Sequence, residues 1–139
     1  MNILDSCKYK CGVSSVLNKD VKQHGKHFML DSNDDTAWSS NDGTPQWIAI
    51  QFEEPQAISM FNFQFQGGFA GKDASFMIET KDGEVLVDES FYPEDVNSVQ
   101  SFQLKTQIDG RRATKIRFLF KSSTDFFGRI IIYKLEIFP

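Results

Sequence analysis

The densest set of cation-ligating side chains lies in the segment LDSNDDTAWSS, residues 30–40, the acidic loop. It carries side-chain oxygens at short intervals, on Asp31, Asn33, Asp34, Asp35 and Thr36. Calcium takes about six to eight oxygen ligands, but the segment lacks the glycine and the closing glutamate of a helix-loop-helix calcium site. On composition alone, Asx turns, in which Asp and Asn side chains accept bonds from nearby backbone N–H groups, are the better interpretation.

A second set consists of all the cysteines and histidines, which are Cys7, Cys11, His24 and His27. Their spacing, C-x3-C-x12-H-x2-H, is close to that of a zinc finger. A finger presents both histidines from one helix with a wider gap, whereas Gly25 interrupts the short gap found here. We therefore expect no zinc, and instead reduced cysteines and surface histidines.

No arrangement in the sequence indicates catalysis. There is no strand-turn-helix nucleophile elbow, and FQGGF (65–69) lacks the lysine and following helix of a phosphate loop. Paired glycosidase carboxylates are defined by their separation in space, so the sequence leaves them open. We predict no catalytic residues and a protein that is not an enzyme.

Two aromatic-glycine segments, FQGGF (65–69) and TDFFGR (124–129), stand at the ends of predicted strands. Glycine permits sharp turns there. The neighbouring rings of Phe69, Phe126 and Phe127 either plug the end of the core, which is the default interpretation, or form an exposed contact surface.

The elements that must position these residues are strands. Apolar residues alternate in WIAIQF (47–52), FNFQF (61–65), EVLVDES (84–90), KIRFLF (115–120) and RIIIYKLEIF (129–138). KDGE (81–84) lies between SFMIET (75–80) and EVLVDE (84–89), and it predicts an Asp-Gly hairpin. About seven or eight strands with little helix predict an all-β sandwich or jelly roll, and its 14 phenylalanines predict a core of rings.

Length and charge narrow the function. With 139 residues the chain is predicted to be one domain, 1–139, and its net charge of −4 argues against nucleic-acid binding. The densest basic set is Arg111, Arg112, Lys115 and Arg117. Its alternation with apolar residues favours a solvated strand face over an anion site. No signal peptide or membrane span is evident, so we expect a soluble, intracellular protein without a membrane partner.

The order of these features resembles the discoidin-like family, also called coagulation-factor type-C or galactose-binding-like domains. The resemblance rests on the D-x-N-x-x-T-x-W loop, QWIAIQF and a last strand entered through FFGRIIIYKLEIF. It covers essentially the whole chain and implies a discoidin-like jelly-roll β-sandwich of about eight main strands.

The resemblance also implies a structural calcium ion. Its ligands would be Phe28 and Leu135 through backbone oxygens, Asp31 and Glu136 through carboxylates, Asn33 through its carbonyl, and Thr36 through hydroxyl and carbonyl. Ser32 stands where glycine is common in the family, which implies a less sharply bent loop. The tail LEIFP lacks the cysteine with which extracellular members tie their ends, which fits a reducing compartment.

Five fragments in order, VSSVLN, WIAIQF, FQGGF, FYPEDVNS and TDFFGRIIIY, resemble small intracellular members of the family that associate with a nuclear receptor. This implies a nuclear or nucleocytoplasmic repressor that binds a receptor and blocks its dimerisation. The predicted partner contacts are Phe69, Asp125, Phe126, Phe127 and Arg129. The alternative is a glycan-binding module, which would have a loop-end pocket, an aromatic platform and arginine, although such residues are not identifiable from the sequence. A third class is a hydrolase that uses clustered carboxylates.

Overall fold

The computed structural model describes every residue from Met1 to Pro139. Its nine strands are β1 (Tyr9–Val13), β2 (Trp38–Ser39), β3 (Gln46–Gln56), β4 (Met60–Phe65), β5 (Gly71–Glu79), β6 (Val85–Phe91), β7 (Gln100–Gln103), β8 (Ala113–Ser123) and β9 (Ile131–Phe138). Helix is limited to α1 (Val21–His24) and to 3-10 turns at Ile3–Asp5, Leu17–Lys19 and Lys26–Met29. The predicted all-β chain with little helix is confirmed.

The strands form two antiparallel sheets that face each other. One has the order β1-β3-β8-β5-β6, and the other has the order β2-β9-β4-β7. Neighbours within a sheet are mostly distant in sequence, as in a jelly roll. The predicted sandwich is confirmed, with β8 as the central strand of the larger sheet.

Alternation along each strand selects the residues that enter the core. In β8, Ile116, Phe118 and Phe120 are buried, while Arg117 between them is exposed. Phenylalanine rings fill the space between the sheets, and the ring of Phe61 lies with its centroid 4.9 Å from that of Phe118, in an edge-to-face arrangement. The prediction of an aromatic core is confirmed.

The KDGE hairpin is also confirmed. It joins β5 to β6, with Gly83 at φ +85° and its N–H donating to the carbonyl of Thr80 over 3.0 Å. The edge of the larger sheet at which this hairpin lies is called the hairpin end. The opposite end, the loop end, carries the turns 41–45, 66–70 and 124–130. No helix in the structure has the length and apolar character needed to cross a membrane.

Candidate binding sites at the loop end and in the acidic loop

A pocket of about 400 Å³ opens at the loop end, and it is referred to here as the loop-end pocket. It is lined by Asp42, Phe69, Asp125, Phe127 and Arg129. Four of these five are residues that the sequence analysis proposed as partner contacts. The turns after β2, before β5 and after β8 therefore bring together side chains that are far apart in the chain.

Arg129 supplies the positive charge of the pocket. Its Nη2 atom lies 3.0 Å from Oδ1 of Asp42, and its backbone N–H donates to Oδ2 of Asp125 over 3.0 Å. The Nε atom of Arg129 is buried and has no hydrogen-bond partner. An unpaired buried donor is costly, and because this atom is buried, a ligand in the pocket could contact only the partly exposed remainder of the guanidinium.

The 124–129 turn is held rigidly. Thr124 donates its backbone N–H to the carbonyl of Ala70 over 2.9 Å, and Gly43 donates to the carbonyl of Phe127 over 2.7 Å. Gly128 has φ +85°, and a Cβ on it would come within 2.8 Å of the backbone of Gly43. Only glycine fits at this close approach, and the two turns are consequently packed backbone to backbone.

Two rings of this turn project into solvent. Phe126 is 94% exposed and Phe127 is 66% exposed, and their rings meet edge to face with centroids 5.2 Å apart. The default interpretation that these rings plug the core was wrong, because the turn carries them beyond the last core residues of β8. Phe69 is half-buried and lies at the boundary between the core and the pocket.

Asp42 was missed by the sequence analysis. It lies in the turn NDGTPQ, where an exposed aspartate is ordinary. Its contact with Arg129 spans 87 positions in the sequence. No local signal in the sequence indicates such a pairing.

In the acidic loop, side chains tie down their own backbone as the composition predicted. The N–H of Asn33 donates to Oδ1 of Asp31 over 3.0 Å, and the N–H of Asp35 donates to Oδ1 of Asn33 over 2.9 Å. Ser32 has φ +58°, the left-handed conformation that glycine adopts most easily. The expectation of a less sharply bent loop was therefore wrong, since the serine takes the strained conformation.

The hydroxyl of Thr36 stands among four other oxygens. It lies 2.8 and 2.9 Å from the two carboxylate oxygens of Asp31, 3.1 Å from the carbonyl of Phe28 and 3.3 Å from the carbonyl of Asn33. A hydroxyl has one proton and satisfies one of these acceptors at a time. Five oxygens therefore surround one hydroxyl proton, and the only other donors to them are the backbone N–H of Asn33, which bonds to Oδ1 of Asp31, and that of Thr36, which bonds to the carbonyl of Asn33. Clusters rich in oxygen and poor in donors are the kind of environment in which hard cations bind.

The remaining two predicted calcium ligands, Leu135 and Glu136, lie on β9. Ile137 donates its N–H to Oδ1 of Asn2, away from β4. Because backbone groups alternate in direction along a strand, the carbonyl of Leu135 points to that same side. The 3-10 turn Lys26–Met29, which precedes the acidic loop, contacts β9. Glu136 instead lies on the outer face, where its Oε1 accepts a bond from Nδ2 of Asn62 over 3.2 Å.

Lys134 connects β9 to the acidic loop. Its Nζ lies 2.9 Å from Oδ1 of Asp34. This hydrogen bond raises the pKa of Lys134 above its usual value, and the carboxylates of Asp34 and Glu136 act in the same direction. The loop and the last strand are thus joined by an ion pair that the sequence analysis did not predict.

The structure does not assemble the zinc-finger set. Cys7 precedes β1, Cys11 lies within it, His24 ends α1 and His27 lies in the next 3-10 turn. No three histidine, cysteine, aspartate or glutamate side chains of the chain converge as a group of metal ligands.

Comparison with known proteins identifies the family. The model of the F5/8 type C domain matches residues 13–131, which is most of the sandwich. The chain belongs to the F5/8 type C domain family. The discoidin-like resemblance seen in the sequence is confirmed.

Several relatives of this F5/8 type C domain share one name. The nuclear receptor 2C2-associated protein of Danio rerio is 48% identical over 125 residues, covering 90% of this chain and 86% of the relative. The proteins of that name from Xenopus laevis and Homo sapiens are 43% and 36% identical, and the alignments cover 89% and 87% of those chains. Both alignments cover 90% of this chain.

Solved structures with the same fold include carbohydrate-binding modules. The chitosan-binding module 1 of a Paenibacillus chitosanase/glucanase superposes with a TM-score of 0.74 at 15% identity, covering 100% of this chain and 99% of that module. A family 32 module from Clostridium perfringens, solved with galactose, superposes with a TM-score of 0.70 at 16% identity, covering 93% and 92%. At this identity the likeness establishes the jelly-roll fold of the F5/8 type C domain.

Proposed function

We propose that this F5/8 type C domain is a non-enzymatic protein-interaction module whose partner is a nuclear receptor. The observation that carries the proposal is the exposed ring pair of Phe126 and Phe127, 94% and 66% exposed on a turn fixed by hydrogen bonds. Rigid, exposed aromatic side chains are typical anchors of protein interfaces because they bury a large area at little entropic cost. The shared name of the relatives supports the choice of partner.

The proposed mechanism is occupation of a receptor surface. In this mechanism the two rings insert into the receptor, and Arg129 and Asp125 at the rim fix the orientation by charge. If that surface is the one through which the receptor dimerises, binding represses the receptor. The protein then acts in the nucleus or nucleocytoplasm without contacting nucleic acid itself.

The test is binding of the purified protein to immobilised nuclear receptor 2C2 by biolayer interferometry. We expect the double variant Phe126→Ser/Phe127→Ser to bind at least about tenfold more weakly. Its free energy of unfolding should stay within about 0.5 kcal/mol of the parent, since both rings are exposed. Tyr92→Ser is the matched control. Tyr92 is an exposed ring as well, at 75%, but it lies on the connection from β6 to β7.

Equal binding of the parent and the double variant would reject the ring pair as the contact surface. Dimerisation is tested separately, by light scattering of the receptor with and without the protein. A receptor that remains dimeric with the protein bound would reject the repression mechanism while leaving the interaction intact.

The second candidate function is glycan binding in the loop-end pocket. The observation that favours it is the arrangement of the Arg129–Asp42 ion pair beside the ring of Phe127, since sugars stack on rings and bond to paired charges. A titration with galactose, followed by the chemical shifts of the pocket residues, tests this function. We expect Phe127→Ser and Arg129→Gln each to abolish any shift change, and an unchanged spectrum of the parent at high galactose would eliminate this candidate.

We further propose that the acidic loop holds a structural calcium ion. The five-oxygen cluster of Phe28, Asp31, Asn33 and Thr36 supports this proposal, and the orientation of the Leu135 carbonyl agrees with it. Glu136 would join only by exchanging its bond with Asn62 for the ion. Calcium here would pin the loop to β9 and would be remote from the proposed partner contacts.

A further inference from the structure

The basic residues that are dense in the sequence do not form a patch in the structure. Arg111 forms a two-bond ion pair with Glu84, and Arg117 lies over the ring of Trp47, 6.0 Å from its centroid. The other two members make no ion pair: Arg112 is exposed, and Lys115 is half-buried. A different set of lysines surrounds Lys115.

These lysines line a groove of about 740 Å³ at the hairpin end, the lysine groove. Its charged residues are Lys8, Lys10, Lys81 and Lys115, with Glu53 and Glu79. The protein contains three ion pairs, and none of them involves these six residues. Four ammonium groups and two carboxylates therefore leave a net charge of about +2 on one groove in a chain of net charge −4.

The strand register explains how the lysines meet. Lys10 on β1 is paired with Gln51 on β3, and Gln51 is paired with Lys115 on β8. The row continues to Glu79 on β5. All four side chains share the outer face of the larger sheet, because Cα partners on adjacent antiparallel strands point the same way.

A break in the sheet opens the groove. Gln51 is paired with Lys115 and Gln56 with Ala113, so that residues 52–55 of β3 lie opposite Thr114 alone. Over this interval no ladder pair joins β3 to β8. On its other side this segment is paired with β1, since Phe52 is the partner of Tyr9 and the N–H of Glu53 donates to the carbonyl of Lys8 over 3.0 Å. The missing ladder pairs therefore lie only on the side of β3 that faces β8, and such an interruption suits a polypeptide ligand, which brings N–H and C=O groups of its own.

We propose that the lysine groove binds an acidic peptide segment, rich in Asp or Glu, of a partner protein. Charge complementarity selects the anion, and the interrupted ladder between β3 and β8 favours a polypeptide. The groove is of the size that holds a ligand much larger than a single phosphate. A long nucleic acid is disfavoured, since the rest of the acidic chain repels an extended polyanion. This surface is independent of the proposed receptor contacts, because it lies at the opposite end of β8.

The experiment measures the fluorescence anisotropy of fluorescein-labelled deca-glutamate titrated with the protein at low salt. We expect Lys10→Gln/Lys115→Gln to weaken binding about fivefold to tenfold. Lys72→Gln/Lys121→Gln is the matched control, because it removes two exposed lysines from the same sheet outside the groove. Glu53→Gln/Glu79→Gln should tighten binding, since it removes the two opposing charges.

Three outcomes would overturn the proposal. The first is an absence of binding by the parent, and the second is an equal loss in the groove and control variants, which would indicate only general attraction. The third is binding of labelled deca-thymidylate as tight as that of the peptide, which would assign the groove to phosphates. Circular dichroism melting of each variant verifies that the fold is retained.

Discussion

Nη2 of Arg129 lies 3.0 Å from Oδ1 of Asp42, and this ion pair joins two turns that are 87 positions apart in sequence. The Asp42 side chain is 58% exposed and that of Arg129 is 30% exposed. Water therefore screens the pair. Its contribution to stability is small, and its importance lies in fixing the guanidinium at the mouth of the loop-end pocket.

A double-mutant cycle of Asp42→Asn and Arg129→Gln should give a coupling free energy of about 0.5–1 kcal/mol. Urea denaturation of the parent, the two single variants and the double variant measures it. The coupling should decrease in 1 M salt, because partly exposed charges are screened. A coupling energy of zero at low salt would contradict the pairing.

Replacement of Gly128 should be far more harmful than replacement of Gly83. Both have positive φ, +85° in each case, so alanine strains the backbone at either position. A Cβ at Gly83 meets nothing within 4 Å, whereas at Gly128 it meets the Gly43 backbone at 2.8 Å. We expect Gly83→Ala to cost about 1 kcal/mol of unfolding free energy and Gly128→Ala about 3 kcal/mol. Urea denaturation measures both losses. Equal losses would show that the turns of Gly43 and Gly128 are not in backbone contact.

The strands were predictable because alternation is a local property. WIAIQF and KIRFLF each place every second side chain in the core, and β3 and β8 follow from them. The strand β1 was not identified. The shorter strands β2 and β7 were also missed, since two or four residues are too few to show a period. They form because the neighbouring strands β9 and β4 offer them backbone partners.

The sites were only partly predictable. TDFFGR indicates a turn, but whether Phe126 and Phe127 enter the core depends on where β8 ends in space. Asp42 and Lys8 carry no local signal, because their roles depend on residues brought near by the sheet order. The Asx bonds of Asp31 and Asn33 were predictable because both acceptors lie two residues from their donors.

Cys11 should react slowly with thiol reagents. Burial raises the pKa of its thiol to about 11, and the opposing charge of Lys26 does not offset this. At pH 8 only about one Cys11 thiol in a thousand is then ionised, and the thiolate is the reactive form. Iodoacetamide labelling followed by mass spectrometry should show the rate rising about tenfold per pH unit from pH 8 to 10. A rate at pH 8 equal to that of the urea-unfolded protein would contradict the burial of this thiol.

Calcium bound in the acidic loop should raise the stability of the protein. Saturating calcium, at about a hundred times Kd, adds about 2.7 kcal/mol, which raises Tm by roughly 10 °C in a chain of this size. Asp31→Asn should lose this increase because it removes the carboxylate of the five-oxygen cluster, and Thr36→Val should reduce it because it removes the hydroxyl.

Asp35→Asn is the matched control. It removes a charge from the same loop, but the Asp35 carboxylate makes no hydrogen bond or ion pair to the cluster. Differential scanning calorimetry with calcium and with chelator measures Tm for all four proteins. Identical Tm values for the parent in calcium and in chelator would reject the ion, and an equal loss in Asp35→Asn would reduce the effect to general electrostatic attraction.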